Sequence, residues 1–285
     1  MKIKYIAVLF FAALFCSCNI DVKGFFYSYS TPDERFEQSR ALSSPAPISP
    51  ATQDFSLVFT ADPHFTRELG INFDSFISGI SHLAPTDIIG MAVLGDLVQN
   101  GEEAGYLSYQ ESINGLSVFN VIGNHDVYNA GRRFFKEYIG PSSYVLPIGT
   151  AGEIGSLLLI NIDSANASLG NSQTEWLINI LETERKQYTH CIIITHSNLF
   201  PSSLGTVVQF SDKNEVYSLV DLFNKHDVDY VLGGHSHQLS EYELFSTKYI
   251  TLDSIKEPDS HFMIMTVSPE GLMHEIYPVT AAGTR

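Results

Sequence analysis

From residue 56 onward, short and solidly apolar runs alternate with stretches in which apolar residues recur every three or four positions. The runs Ser56–Thr60, Ile88–Leu94, Val118–Ile122, Leu157–Ile162, Ile192–Thr195 and Val228–Leu232 have the length and branched content of strands buried on both faces. Between them, Asn72–Leu83 carries Phe73, Phe76, Ile77 and Ile80 at helical spacing, and Glu102–Ile113 reads as a second helix. Ser172-x-x-Glu175 has the form of a capping box and predicts a helix with Trp176, Leu177, Ile180 and Leu181 on one side. Asp212-x-x-Glu215 predicts another, with Val216, Leu219, Val220 and Phe223 on its buried stripe. From about Leu239 to Val279 no helical period is present, and β-hairpins are expected. Strands alternating with helices predict an α/β fold whose sheets are covered by helices.

The polar residues that end these runs carry the chemistry. Five strands stop at side chains able to bind a metal: Asp62 and His64, Asp96, Asn124, His196, and His235 with His237. In α/β folds ligands bind beyond the carboxyl ends of strands, so these residues are expected to converge. Each has an ordinary explanation when taken alone: a turn at Asp62-Pro63, a turn-forming Asn124, a surface or core histidine. Their occurrence together, each after a buried strand, favours the chemical one. Mixed carboxylate, imidazole and amide donors suit manganese, iron or zinc. With Asp96 shared, seven side chains meet the needs of two divalent or mixed-valence ions. Two such ions, roughly 3.5–4 Å apart, can clamp the attacking and leaving oxygens of phosphoryl transfer, and water bridging them loses a proton readily to become the nucleophile. His125 is set apart as the acid and transition-state stabiliser, next to Asp126, which is expected either to orient it or to cap the turn.

The beginning of the chain reads differently. Lys2 and Lys4 precede an apolar run from Tyr5 to Phe15, too short to span a bilayer, which needs roughly 20 residues. Leu14-Phe15-Cys16-Ser17-Cys18 has the form of a lipoprotein cleavage site, with Cys18 favoured over Cys16 because the small Ser17 precedes it. This predicts an export signal over 1–17, a Ser/Pro-rich tether over 18–50 and a catalytic domain over 51–285, anchored by lipid and facing the periplasm or cell surface. The only other cysteine, Cys191, sits in an apolar run, so a disulfide framework within the domain is excluded. A formal net charge of −16 argues against a nucleic-acid partner and leaves an anionic substrate in need of a local positive centre.

Taken together, Asp62-x-His64, Gly95-Asp96-x-Val98-x-x-Gly101, Gly123-Asn124-His125-Asp126, Thr195-His196 and Gly234-His235-Ser236-His237 resemble the motifs of the calcineurin-like metallophosphoesterase superfamily, over about Phe55 to His237. The resemblance implies two facing mixed β-sheets flanked by helices, a four-layer α-β-β-α sandwich, and hydrolysis of a small phosphate ester, diester or monoester, nucleotides included. It assigns Asp62, His64, Asp96 and His237 to one metal, and Asp96, Asn124, His196 and His235 to the other. Gly95–Gly101 and the block from Leu158 to Leu177 are closest in wording to the bacterial cyclic-nucleotide phosphodiesterase branch. Ser197 departs from the pattern, where a second histidine is often found. Gln99 stands where purple acid phosphatases carry a tyrosine. The competing reading is a surface lipoprotein that acts as a binding module and keeps its metal site for stability.

Overall fold

Alternate residues of each central strand enter different hydrophobic cores, and this sorting builds the layers. A computed structural model describes residues 30–67, 76, 80, 82–84, 86–200, 210, 212–257 and 259–279. Helix α1 (Pro32–Arg40) precedes β1 (Phe55–Thr60), β2 (Ile88–Val93), α2 (Glu103–Ser112) and β3 (Val118–Asn120). There follow β4 (Tyr144–Ile148), β5 (Leu157–Asn161), α3 (Asn171–Thr183), β6 (His190–Ile194), α4 (Lys213–Lys225) and β7 (Tyr230–Gly233). Strands β8 (Ser240–Leu244), β9 (Thr247–Thr251), β10 (His261–Ser268) and β11 (Gly271–Pro278) complete the described chain.

The strands form two mixed sheets, one ordered β11-β10-β1-β2-β3 and the other β4-β5-β6-β7-β9-β8. Leu57 and Phe59 of β1 share a core with Leu157 and Leu159 of β5 and Ile192 and Ile194 of β6, which places the sheets face to face. The opposite residues point outward. Val58 joins Tyr106 and Tyr109 of α2, whereas Leu158, Ile160 and Ile193 join Leu177 of α3 and Leu219 and Phe223 of α4. The layers are therefore α-β-β-α, as expected. Strands β1, β2 and β3 run parallel, and so do β5, β6, β7 and β9. The tail completes both sheets, with β8–β9 closing one edge and β10–β11 the other.

Two expectations fall wholly or mostly outside the described residues, and two elements depart from the pattern. Cys18 and most of the helix expected over Asn72–Leu83 lie outside the described residues, although Phe76 and Ile80 are helical and buried. Strand β4 had no signal strong enough to predict it. Its Pro147 is tolerated because β4 lies at the edge of its sheet, in a ladder with β5 on one side and a single bridge to Ile48 on the other. The expected capping box at Ser172 does not form. α3 starts at Asn171 after Gly170 at φ 75°, and the Ser172 N–H donates to Asp33 Oδ1 of α1 at 2.8 Å. A carboxylate from a distant helix thus takes the place of the local cap.

The tether is the larger correction. Residues 30–50 belong to the folded body. α1 carries its own capping box, with Thr31 and Glu34 exchanging hydrogen bonds, and its Arg35 side chain is wholly buried. Arg35 grips Asp163 through two parallel bonds, Nε to Oδ2 at 2.8 Å and Nη2 to Oδ1 at 2.9 Å, and also donates to Asn166. Ser39 exchanges hydrogen bonds with the Ser143 backbone, and Ile48 forms a bridge with Ile148. A polar, turn-rich composition signalled a linker. It could not reveal that an arginine in it has a buried carboxylate partner 128 residues away.

Candidate metal centre

All seven predicted ligands sit on loops that leave the carboxyl ends of β1, β2, β3, β6 and β7, on one rim of the facing sheets. Their ligand atoms fall into two groups, each lying within 4.8 Å: Asp62, His64, Asp96 and His237, and Asp96, His196 and His235. Asp96 is common to both. Asn124 enters the second group through Oδ1, 3.0 Å from His196 Nε2 and 2.9 Å from His235 Nδ1. Its amide is oriented by a bond from Nδ2 to the Tyr128 hydroxyl at 3.0 Å.

The loops are held in an unusual backbone. Asp62, His64, Asp96, His235 and His237 all have φ between 49° and 72°, the left-handed region that side chains with a Cβ avoid. Such strain clusters at functional sites because the surroundings over-determine it. Here the surroundings are visible. The His64 and Phe65 amides donate to the Asp96 and Leu97 carbonyls, the His235 amide to the Asp62 carboxylate, and the Ser254 hydroxyl to the Asp62 carbonyl at 2.7 Å. Close approach also requires glycine. A Cβ on Gly95 would overlap the His196 ring, and one on Gly123 the Asp96 backbone nitrogen and carboxylate.

The donor set fits metal ions. His196 Nδ1 donates to the Leu94 carbonyl at 2.9 Å, so its Nε2 lone pair faces Asn124 Oδ1 at 3.0 Å and Asp96 Oδ1 at 3.4 Å. On the other side, His64 Nε2 and His237 Nε2 are 3.0 Å apart. Acceptors converge on two points, an arrangement that a cation between them makes favourable. The charge states of the imidazoles agree. Burial holds the His64 and His237 imidazoles below their ordinary value, which keeps them neutral as ligation requires. Burial, with the neighbouring Asp96 charge, pushes the Asp62 carboxyl well above the carboxylate range. Burial opposes the charge on Asp96 too, but the imidazoles of His196, His125, His64 and His235 together hold that carboxyl well below its ordinary value.

His125 stands at the opening. Its backbone N–H donates to Asp96 Oδ1 at 2.8 Å, its Nδ1 donates to the Gln99 carbonyl at 2.6 Å, and its Nε2 lies 3.9 Å from Asp96 Oδ2. Its side chain is 21% exposed against 2% for Asp96. The expectation that Asp126 orients His125 is corrected. Its carboxylate accepts from the Gly123 N–H at 2.8 Å and the Val98 N–H at 3.1 Å, wholly buried under the loop. It braces two motif loops against each other, and the Gln99 carbonyl orients His125 instead.

The sequence reading also missed Ser164. Its hydroxyl lies 2.7 Å from Thr195 Oγ1 and accepts from the His196 and Ser197 amides, fixing the loop that bears His196. The only hint was its place just after a buried strand.

Residues 55–239 match the family model described as calcineurin-like phosphoesterase, across the span that holds every candidate ligand. The chain belongs to this family. Membership makes it a hydrolase with a metal-binding site. A relative from Vesicomyosocius okutanii, described as a probable cyclic nucleotide phosphodiesterase, is 26% identical over 191 residues, covering 65% of this chain and 76% of the relative. Among solved structures, a purple acid phosphatase from yellow lupin seeds aligns with a TM-score of 0.61 and 15% identity, over 83% of this chain and 53% of its own. The anchor of the inner membrane complex of Plasmodium aligns at 0.59 and 15% identity, over 79% and 85%. These structural likenesses show a phosphoesterase-family fold shared with proteins of different roles.

Proposed function

We propose that this phosphoesterase-family chain hydrolyses small phosphate esters with two metal ions, one held by Asp62, His64, Asp96 and His237 and the other by Asp96, Asn124, His196 and His235. The observation that carries the reading is the shared Asp96 between two ligand groups, with a non-ligating histidine at the opening. Bound there, manganese, iron or zinc would neutralise phosphoryl charge and lower the pKa of water. The chain's own residues do the rest. The left-handed loops preset the ligands. Gln99 fixes the His125 ring with Nδ1–H spent on its carbonyl, so Nε2 is the nitrogen free to carry a proton to a departing oxygen. Because Nδ1 is occupied, the ring needs no reorientation when the ester binds. The proposal includes export and a lipid at Cys18, which would place the reaction outside the cytoplasm and favour scavenged esters as substrates.

A binding module with a residual metal site is the second reading, supported by the Plasmodium neighbour, which is described as an anchor. His125 speaks against it, since the ring adds nothing to either ligand group. The test is hydrolysis of p-nitrophenyl phosphate and bis-p-nitrophenyl phosphate by metal-stripped protein resupplied with manganese. Metal-dependent turnover is expected, abolished in Asp96→Asn and reduced by a factor of about 10²–10⁴ in His125→Ala. Binding of two manganese ions without turnover of either ester, with iron and zinc also tried, would favour the module.

A further inference from the structure

Beside the acceptors that face the metal positions, the opening of the site holds a group made of donors. Lys256 Nζ donates to Gln99 Oε1 at 3.2 Å, which turns the Gln99 amide nitrogen toward His125, 3.5 Å from Nδ1. That nitrogen cannot donate to His125, because Nδ1 already carries the proton given to the Gln99 carbonyl at 2.6 Å. Among the described residues, two ammonium hydrogens of Lys256 and the Gln99 amide hydrogens are therefore left for an acceptor next to His125.

The lysine is held by its backbone. The Ser254 hydroxyl donates to the Asp62 carbonyl at 2.7 Å, the Ile255 N–H to the Ala61 carbonyl at 2.9 Å, and the Glu257 N–H to the Ser254 carbonyl at 3.0 Å. Asp253 accepts from the His261 N–H at 2.8 Å and lies at the same distance from His261 Nδ1. The loop is thus tied to the end of β1, the same segment that carries Asp62 and His64. A chain of net charge −16 places a cation on its own ligand-bearing rim.

We propose that Lys256 and the Gln99 amide form a subsite for a terminal phosphoryl oxygen, and that it makes the site select phosphomonoesters over diesters. The inference rests on the hydrolase reading above. A monoester near neutral pH carries three terminal oxygens and close to two charges, whereas a diester has two such oxygens and one charge. Where the monoester presents its third oxygen, a diester presents an ester link, a poor acceptor for a charged donor. A lysine–phosphoryl bond is charge-assisted, and a site built to donate discriminates strongly against a ligand that lacks the acceptor.

The test compares wild type, Lys256→Ala, Lys256→Arg and Gln99→Ala, each loaded with manganese and checked for metal content and thermal midpoint. Kinetics on the two nitrophenyl esters are read beside calorimetric titration with inorganic phosphate, the product of the monoester reaction. In Lys256→Ala the kcat/KM for the monoester should fall about tenfold more than for the diester, mostly through KM, with phosphate affinity falling about as far. Lys256→Arg should restore phosphate binding to within about threefold, since charge and donors are kept. Equal losses on the two esters, or phosphate affinity unchanged in Lys256→Ala, would overturn the subsite. Wild type that turns over neither ester would overturn the hydrolase reading, and the phosphate titration would still decide whether Lys256 binds the anion.

Discussion

At the scale of single residues, the site is legible where a motif is dense and opaque where a residue acts through its neighbours. Every predicted ligand converges on the rim, because strands that end in parallel deliver their next residues to one place. The supporting residues Gln99, Ser164 and Ser254 sit far apart in sequence and work through backbone atoms, which no spacing rule records. Asp126 is opaque for the same reason, since adjacency to His125 says nothing about where its carboxylate turns. Gly123 shows how little room is left. A Cβ there falls on Asp96, so Gly123→Ala should weaken manganese binding by about 10–100-fold. It should also cost about 1–3 kcal/mol of stability from overpacking. Metal titration and a denaturant melt of the same sample check both numbers. Wild-type affinity in that variant would mean that the motif loops adjust more freely than their hydrogen bonds imply.

At the scale of elements, α1 works as a clamp on the loop between β5 and α3. It contributes the carboxylate that caps α3 and the guanidinium that pairs with Asp163. Periodicity revealed the sheet-forming strands because both faces are buried; it missed α1, whose partners lie far along the chain, and β4, a short edge strand interrupted by Pro147 and buried on alternate residues only. The buried ion pair makes a definite pH prediction. Burial alone would raise the Asp163 carboxyl, but the charge and hydrogen bonds of Arg35, helped by Arg132 and the Ala165 N–H, hold it below its ordinary value. A carboxyl depressed in the folded state contributes stability that is complete above the unfolded pKa of about 3.9 and is lost as pH falls through the folded value. Arg35→Met should therefore cost about 3–5 kcal/mol at pH 7, by leaving a buried carboxylate without its main partner. Protonating that carboxylate then relieves the variant, so the deficit should shrink toward pH 4, as urea midpoints measured from pH 7 to pH 4 would show. A deficit independent of pH would point to lost packing rather than lost charge.

At the scale of the whole molecule, the folded body begins by Ser30, about twenty residues before the boundary at 51 that composition suggests. Protein truncated to start at Phe55 should melt well below protein starting at Ser30, since it loses the Asp163 partner, the α3 cap and the Ile48 bridge together. Equal thermal midpoints would restore the tether. An early start to the fold would also set the length of a leash, were Cys18 to carry the proposed lipid. A lipid on Cys18 would be joined to Ser30 by about a dozen residues, at most roughly 40 Å of extended chain, instead of the roughly 110 Å that a tether to residue 50 would allow. On so short a leash the enzyme would patrol a thin layer against the envelope. It would meet esters released at that surface at high local concentration and those in the distant medium only after they had diffused to it.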